Sequence, residues 1–294
     1  MSGRTPAFAA PQRTLGPREF RLFQRLIEEE AGIHVVDAKR VLVEGRLARR
    51  LRELGLDYAA YYELVLADPH ERVRMLDCIA TNETHFFREP RQFEFLESRL
   101  LPEWQARVVE LGLPRKLRVW SAGCSTGEEP CSVAMSFLAR FPPRSGFEIS
   151  VLATDLSTRA LEKAASFVYP LDKSHEVPAP YLKAFMLRGS GAQAGRMKVG
   201  AAVRGVVRYA RLNLNGAAFD LRERFDVVLC RNVLIYFDTE AKRRVVSRLL
   251  ERLDPAGHLF LGHAETLSGL ETGAASVGPT VYRHAQGTAA TPPS

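Results

Sequence analysis

The chain has 294 residues, of which 46% are hydrophobic and 26% are charged. This balance excludes a wholly disordered, collagen-like or coiled-coil protein and predicts one large folded domain or two modest ones. No stretch approaches the roughly 18 uncharged apolar residues of a membrane span. The N-terminus has neither the apolar core nor the cleavage site of a signal peptide, so we expect a soluble, cytoplasmic protein.

The formal net charge of +7 is distributed unevenly along the chain. Residues 170–211 contain eight basic residues against Asp172 and Glu176, and residues 38–52 contain six against Glu44. Two basic patches indicate an anionic macromolecular partner, either nucleic acid or an acidic protein surface. Composition alone does not choose between these partners.

The cysteine pattern indicates reduced thiols. The four cysteines, all beside apolar residues and none in a CxxC pair, are Cys78, Cys124, Cys131 and Cys230. Cysteines of this kind in so long a chain favour a place in the core. Neither a disulfide nor a metal site is implied.

Residues 18–80 have helical periodicity without a convincing strand. We place a helical domain at 17–90, after a start over 1–16 that we expect to be flexible. The segment REFRLFQRLIEEEAG places apolar residues at three- and four-residue steps and ends at Gly32. Asp57 is in position to cap a later helix. The pattern predicts an all-helical N-terminal domain, followed by a linker helix over 91–115.

One predicted helix of this domain has an apolar side and a basic side. Apolar residues recur at helical spacing over 43–54, and Arg46, Arg49 and Arg52 fall on a neighbouring face. The arginines either solvate an exposed face or bind an acidic partner, and the sequence leaves both interpretations open.

From residue 116 to residue 284 short apolar strands alternate with helices. The predicted strands are KLRVWSA, EISVLATD, VVRYARL, FDVVLCRN, GHLFLGH and TVYRH. Such a pattern indicates an α/β fold with a parallel sheet covered by helices on both faces. The basic segment at about 170–205 interrupts the alternation with prolines and glycines, which predicts an inserted small β subdomain. The tail over 285–294 is expected to be disordered.

The turn after the first strand contains Gly123 and Gly127 and leads into a helix. In an open parallel sheet, glycines in this turn admit a ligand to the carboxyl edge of the strands. Glu128 and Glu129 stand where a pyrophosphate would lie, which disfavours a nicotinamide dinucleotide and favours a ligand with positive charge. For either residue alone, a simple interaction with the helix dipole is an equally good explanation.

A further carboxylate, Asp155, closes the second predicted strand. An acidic residue at this point can bind both hydroxyls of a ribose. A ribose-binding acid, a glycine turn and an acidic first helical turn suit a ligand with an adenosine, an ammonium and a sulfonium but no phosphates. The residues therefore favour S-adenosylmethionine over NAD as cofactor.

Four blocks, TNETHFFRE, WSAGCSTGEEPCS, ATDLSTRALEKA and FDVVLCRNVLIYF, occur in this order along the chain. In order and spacing they resemble the bacterial chemotaxis receptor glutamate methyltransferases, the CheR family. The resemblance implies a Rossmann-like S-adenosylmethionine-dependent methyltransferase domain of α/β class with an inserted small β subdomain, preceded by an all-helical N-terminal domain. It also implies methyl transfer to glutamate side chains of chemoreceptors, which produces γ-methyl esters in chemotaxis adaptation.

Carried over residue by residue, the resemblance also implies the cofactor contacts. These are Asn82, Thr84, Arg88, Glu128, Asp155, Asn213, Leu214, Arg231 and Asn232. Arg88 is expected to neutralise the methionine carboxylate at the catalytic centre, Glu128 to pair with the ammonium and Asp155 to hold the ribose. Tyr236 is a candidate for orienting the substrate carboxylate. No general base is expected, because a glutamate with a pKa near ~4.3 is already ionised at neutral pH.

The family also implies partners. The expected substrate is the cytoplasmic domain of a methyl-accepting chemoreceptor, without nucleic acid and without membrane insertion. Some members of the family bind a peptide from the receptor's C-terminus as an added strand on the inserted subdomain. The segments 188–191 and 195–199 resemble the turn and strand of that docking edge.

Two other hypotheses are compatible with parts of the sequence. A nucleic-acid methyltransferase of the same fold would explain a pI near 9.4, although a DPPY-type box is missing. A protein that binds the cofactor as a sensor or scaffold, without activity, is the second. The intact set of matched site residues argues against that degenerate form.

Overall fold

The structure is a computed structural model that describes residues 14–217 and 219–285. The chain divides into two compact units after Ala80. The sequence predicted the end of the helical domain at residue 90, ten residues later than this division. The residues after Ala80 belong to the second unit because Phe86 and Phe87 are buried in its core. The predictions for the first thirteen residues and for those after Ala285 lie outside the described part of the chain.

The described part of the first unit is helical, as predicted. Its helices are α1 (Pro17–Ala31), α2 (Arg40–Leu54), α3 (Tyr58–Ala67) and α4 (Pro69–Ile79). Helix α1 ends where Gly32 adopts the left-handed conformation, and the Asp57 carboxylate caps α3 by accepting from the backbone N–H of Ala60 at 2.8 Å. Both helix signals in the sequence are confirmed.

The arginines of α2 have different environments. Arg46 is half-buried and donates to the carbonyl of Ile79 at the end of α4, so it takes part in packing. Arg49 is exposed and pairs with Glu53 of the same helix at 2.9 Å, and Arg52 is also exposed. The exposed basic side of α2 therefore contains Arg49 and Arg52 but not Arg46.

The second unit contains strands and helices in alternation. In chain order the strands are β1 (Lys116–Ala122), β2 (Glu148–Asp155), β3 (Val168–Pro170), β4 (Met186–Arg188), β5 (Arg196–Val199), β6 (Val207–Arg211), β7 (Phe225–Cys230), β8 (Leu253–Leu261), β9 (Ala274–Gly278) and β10 (Val281–His284). The helices are α5 (Pro90–Phe95), α6 (Leu101–Glu110), α7 (Glu128–Arg140), α8 (Thr158–Ser166), α9 (Ala179–Phe185), α10 (Ala201–Arg204) and α11 (Thr239–Glu251). A π-helical turn at Leu96–Leu100 joins α5 to α6. The described residues include no helix both long and apolar enough to cross a membrane.

The large sheet has the strand order β6-β2-β1-β7-β8-β10-β9. Strands β6, β2, β1, β7 and β8 run parallel, and β10 is antiparallel to both of its neighbours. From β1 the chain moves outward through β2 to β6 and then returns to β7 on the other side of β1. This reversal places a crevice at the carboxyl ends of β1 and β7, which is the usual ligand position in open parallel sheets.

Helices cover both faces of the large sheet. Val119 of β1 packs in one core cluster with Val133 of α7, whereas the adjacent Trp120 packs in another with Val245 of α11. Adjacent residues of one strand are thus buried on opposite faces, as a central parallel strand requires. The predicted parallel sheet with helices on both faces is confirmed. Strand β9 was not predicted from the sequence.

The inserted segment contains a small antiparallel sheet with the order β3-β5-β4. The predicted docking strand over 195–199 corresponds to β5, which pairs with β3 on one side and β4 on the other. It is therefore the inner strand of this sheet. Because an inner strand has no unpaired edge, a peptide cannot add to it, and the prediction of β5 as the docking strand is wrong. Strand β4, with Leu187 exposed, lies at an edge of this sheet instead.

Candidate functional site

The turn between β1 and α7 requires glycine at two positions. Gly123 and Gly127 both have left-handed φ values, +92° and +93°. A Cβ on Gly123 would clash with Cγ2 of Val233, and one on Gly127 would lie 2.6 Å from the hydroxyl of Tyr209 and 2.9 Å from that of Tyr169. Both the backbone conformation and the close approach of neighbouring segments therefore exclude larger residues.

The same turn is joined to the end of β2 through Ser125. This residue has a φ of +51°, which is uncommon outside glycine and costs conformational energy. Its backbone N–H donates to Asp155 Oδ2 at 2.8 Å, and its hydroxyl donates to the carbonyl of Asn82 at 2.9 Å. Asp155 Oδ1 accepts from the backbone N–H of Ser157 at 2.9 Å. The Asp155 carboxylate is thus held in place at the carboxyl end of β2.

Glu128, the first residue of α7, is almost completely buried, with 1% of its surface exposed. Its carboxylate accepts from the Lys173 ammonium at 2.6 Å and from the Thr126 hydroxyl at 2.6 Å. Lys173, which comes from the inserted segment, also donates to the carbonyl of Thr84 at 3.1 Å. Sequence reasoning missed Lys173, because no local pattern marks a pairing over such a separation.

Glu129 belongs to a second ionic cluster. Its carboxylate accepts from the Ser121 hydroxyl at 2.7 Å and lies 3.1 Å from the Arg231 guanidinium. Arg231 is also 3.2 Å from the carboxylate of Glu89 and donates to the carbonyl of Arg88. Burial raises the pKa of Glu129, whereas the charge of Arg231 lowers it. The side chain of Arg231 is therefore committed to protein groups. Glu89, which sequence reasoning did not single out, belongs to this cluster.

The loop after β7 is held by a buried carboxylate from the loop after β8. Asn232 has a left-handed φ of +58° and donates its backbone N–H to Glu265 at 2.8 Å. Further along this loop, Tyr236 is half-buried in a turn that spans Leu234–Tyr236. Glu265 follows the last parallel strand and was not singled out by any motif.

Asn213 and Leu214 follow β6 next to these elements. The backbone N–H of Leu212 donates to the carbonyl of Asp155 at 3.0 Å, which ties this loop to the end of β2. Leu214 is buried in the cluster around Trp120, and Asn213 is half-buried. The sequence-predicted positions on β2, β6, β7 and α7 are therefore brought together at one edge of the sheet.

The segment before α5 reaches the same edge. Asn82 is linked through Ser125 and Thr84 through Lys173, as described above. Arg88 is half-buried and donates to the carbonyl of Glu83 at 3.4 Å, while its own carbonyl accepts from Arg231. All predicted site residues of this segment thus lie beside the strand ends, and their side chains differ in exposure.

The charges at this edge suit a cationic ligand. The carboxylates held there are those of Glu89, Glu128, Glu129, Asp155 and Glu265. Their cationic partners among the described residues are Lys173 and Arg231, and the imidazole of His263 lies 3.9 Å from Glu89. An excess of buried carboxylates disfavours a pyrophosphate and favours an ammonium or a sulfonium. With an anchored carboxylate at the end of β2, the donor set fits S-adenosylmethionine.

The strand order of the sheet and the acidic edge fit the class of S-adenosylmethionine-dependent methyltransferases. Residues 18–80 match the family model "CheR methyltransferase, all-alpha domain", and residues 82–282 match "CheR methyltransferase, SAM binding domain". The chain belongs to the CheR methyltransferase family. It is accordingly an enzyme that uses S-adenosylmethionine.

Named relatives match almost the whole chain. Chemotaxis protein methyltransferase 2 of Pseudomonas aeruginosa is 34% identical over 282 residues, which cover 95% of this chain and 97% of that protein. Chemotaxis protein methyltransferase of Escherichia coli is 36% identical over 271 residues, or 91% of each chain. Among solved structures, the glycopeptide N-methyltransferase MtfA with S-adenosylmethionine shows a distant likeness, with a TM-score of 0.30 and 20% identity over 49% of this chain and 43% of that one.

Proposed function

We propose that this protein methylates glutamate side chains of chemoreceptors and so forms glutamate γ-methyl esters in chemotaxis adaptation. The proposal is supported by the family of the chain and by the names of its relatives, which are chemotaxis methyltransferases. The structural observation that carries the methyl-donor part of the proposal is the acidic edge, where Glu128, Asp155 and the loop of Asn232 meet at the ends of three parallel strands and one helix.

When bound, S-adenosylmethionine supplies a methyl group activated by the sulfonium. In this proposal Asp155 binds the ribose, Glu128 binds the ammonium and Arg88 neutralises the methionine carboxylate. Asn213 and Leu214 border the adenine, because their loop is tied to the end of β2. Thr84 and Asn82 contribute from the segment before α5, and Arg231 with Asn232 closes the methionine end.

The substrate carboxylate needs no general base from the protein. A glutamate with a pKa near ~4.3 is ionised at neutral pH, so it is already nucleophilic. The tasks left to the protein are alignment of the carboxylate with the methyl group and exclusion of water. Tyr236, which follows Asn232 in the same loop, is proposed to orient the substrate carboxylate at the catalytic centre.

We also infer how a receptor is recognised. Arg49 and Arg52, which are exposed on one side of α2, provide a positive surface for an acidic part of the receptor's cytoplasmic domain. A receptor C-terminal peptide is proposed to add to β4 as an edge strand, next to exposed basic residues such as Arg188. Neither surface overlaps the cofactor residues, so receptor binding and cofactor binding are expected to be separable by mutation.

The test of the proposed function is transfer of labelled methyl from S-adenosylmethionine to a purified receptor cytoplasmic fragment, with DNA and RNA as parallel acceptors. We expect label on the receptor alone, and we expect it to be released as methanol at high pH, because esters hydrolyse there and N-methyl groups do not. Alkali-stable label on the receptor would exclude the glutamate assignment. Label on nucleic acid would favour the alternative methyltransferase, and absence of any transfer would favour a scaffold.

A further inference from the structure

Glu265 lies in the loop after β8 and makes an unusual set of hydrogen bonds. Its Oε2 accepts from the backbone N–H of Gly262 at 2.6 Å and of Asn232 at 2.8 Å, and its Oε1 accepts from the backbone N–H of Ile235 at 3.2 Å. Only 5% of the residue is exposed. One buried carboxylate therefore fixes three backbone donors from two loops.

The loop that Glu265 holds has an uncommon backbone conformation. Asn232 has a φ of +58°, in the left-handed region, which asparagine tolerates better than most residues other than glycine. A Cβ on Gly262 would lie 2.7 Å from the Asn232 side-chain nitrogen and 2.8 Å from its backbone nitrogen. The two loops are thus in direct contact at Asn232, and the Glu265 hydrogen bond acts on this left-handed residue itself.

The same carboxylate controls the rest of the loop. Its bond to Ile235 fixes the middle of the three-residue turn Leu234–Tyr236. Between these two hydrogen bonds, Val233 is packed against Gly123 of the turn after β1, where no Cβ can be added. Holding both ends of this short stretch therefore sets the position of Asn232 and Tyr236 relative to the glycine turn.

A carboxylate suits this task better than an amide. It offers two oxygens that both accept, whereas the amide of glutamine has one accepting oxygen and an NH₂ group that would face an N–H donor. Hydrogen bonds from N–H to a buried carboxylate are also stronger than those between neutral groups. Replacement by glutamine preserves the size of the side chain but leaves at least one of the three donors without its acceptor.

We propose that Glu265 is a positioning residue for methyl transfer, which holds Asn232 and Tyr236 in the geometry that the reaction requires without itself touching cofactor or substrate. This inference rests on the proposed function, because the positioned residues are assigned to that reaction. This role is distinct from a contribution to the stability of the whole fold. Two of its three hydrogen-bond donors, Asn232 and Ile235, belong to the loop of the site, and the third, Gly262, belongs to the loop that carries Glu265.

The test compares full-length wild type with Glu265→Gln by kinetics and by backbone amide NMR. We expect kcat for receptor methylation to fall at least tenfold, while KM for the receptor changes less than threefold. The amide resonances of Gly262, Asn232 and Ile235 should move upfield in the variant, as they lose a carboxylate acceptor. If kcat stays within threefold of wild type, or if the three resonances do not move, the proposal is wrong.

Asp226→Asn is the matched control. Asp226 is near the start of β7, at the opposite end of that strand from Asn232, and its carboxylate accepts from the backbone N–H of Arg118 at 2.8 Å and the indole N–H of Trp104 at 2.9 Å. The control should lower the melting temperature with kcat within twofold of wild type. An equal fall of kcat in both variants would show that Glu265 acts only through stability.

The inference and the proposed function can fail separately. If wild type methylates no receptor fragment, the proposed function fails. The inference is then decided by S-adenosylhomocysteine titration, in which the Asn232 amide resonance should respond in wild type and respond less in Glu265→Gln. Equal responses in the two proteins would overturn the positioning role.

Discussion

The Asp155 carboxylate is oriented by backbone groups of the protein. Backbone N–H groups of Ser125 and Ser157 donate to its two oxygens, so its direction does not depend on a rotamer choice at the surface. A group held in this way loses little conformational freedom on binding, which improves affinity without additional contacts. The anchored carboxylate is therefore expected to contribute substantially to binding of the cofactor's ribose.

Asp155→Ala is expected to weaken binding of S-adenosylmethionine or S-adenosylhomocysteine at least tenfold, a loss of about 1.4 kcal/mol. The variant loses the two hydrogen bonds expected to the ribose hydroxyls. It also loses the hydrogen bond from the Ser125 backbone N–H, which joins the glycine turn to the end of β2. Isothermal titration calorimetry measures the change. Asp238→Ala is the control, because Asp238 also accepts a backbone N–H, from Ala241 at 2.7 Å at the start of α11. Unchanged affinity in the Asp155 variant would remove this residue from the site.

At the scale of elements, the inserted segment reaches the acidic edge through the turn Leu171–Glu176. Lys173 contacts Glu128 and the carbonyl of Thr84, and Glu176 accepts from the backbone N–H of Phe86 at 2.9 Å. The turn thus bridges the first turn of α7 and the segment before α5. Because Glu128 is the proposed partner of the cofactor ammonium, Lys173 and the ammonium compete for the same carboxylate.

Lys173→Met is expected to strengthen cofactor binding by roughly three- to tenfold, because the ammonium no longer has to replace an existing ion pair. Calorimetric titration with S-adenosylhomocysteine at low and high salt measures the effect. Lys183→Met is the control, since Lys183 is an exposed lysine of α9 in the same inserted segment. Weaker binding in the Lys173 variant would show that this lysine assists the ligand, contrary to the competition described.

Local signals in the sequence predict most elements, because helix caps and strand burial depend on near neighbours. Gly32 and Asp57 mark real helix ends, and β1 and β2 begin and end at the predicted residues. Local signals also locate Asp155 and Glu128, since Asp155 is the last residue of β2 and Glu128 is the first residue of α7. Their place at a ligand edge follows from parallel strand order.

Long-range partners could not be predicted in this way. Lys173, Glu265 and Glu89 act on residues far along the chain, and none lies in a pattern that indicates its partner. The unit boundary differs for the same reason, because burial of Phe86 depends on the core of the second unit. The inner position of β5 likewise depends on two strand pairings rather than on its own sequence.

At the scale of the whole molecule, the two units have different surfaces. The acidic ligand edge belongs entirely to the second unit, whereas the exposed basic side of α2 belongs to the first. In the first unit Arg50 is already used internally, since it pairs with buried Glu71 at 2.6 Å and holds the pKa of that carboxyl below its usual range. On this side of α2, Arg49 and Arg52 remain exposed to an acidic partner, although Arg49 also pairs with Glu53 of the same helix.

Charge reversal at both positions, Arg49→Glu with Arg52→Glu, is expected to slow receptor methylation by roughly three- to tenfold at low ionic strength. The reason is that an exposed positive surface accelerates association with an acidic partner, an effect that salt screens. The difference between variant and wild type should therefore shrink as salt is added, while affinity for S-adenosylhomocysteine remains at the wild-type value. Initial rates with a receptor fragment over a salt series provide the measurement.

The control for this last prediction is Arg243→Glu with Arg244→Glu, a reversal of equal charge at exposed positions of α11 in the second unit. Arg46 is left unchanged in both variants, because its bond to the Ile79 carbonyl makes it part of the packing of α2 on α4. A slower rate in the α2 variant alone assigns receptor docking to this helix. If both variants slow equally, only net charge matters, and if the α2 variant methylates at the wild-type rate, Arg49 and Arg52 merely solvate the helix.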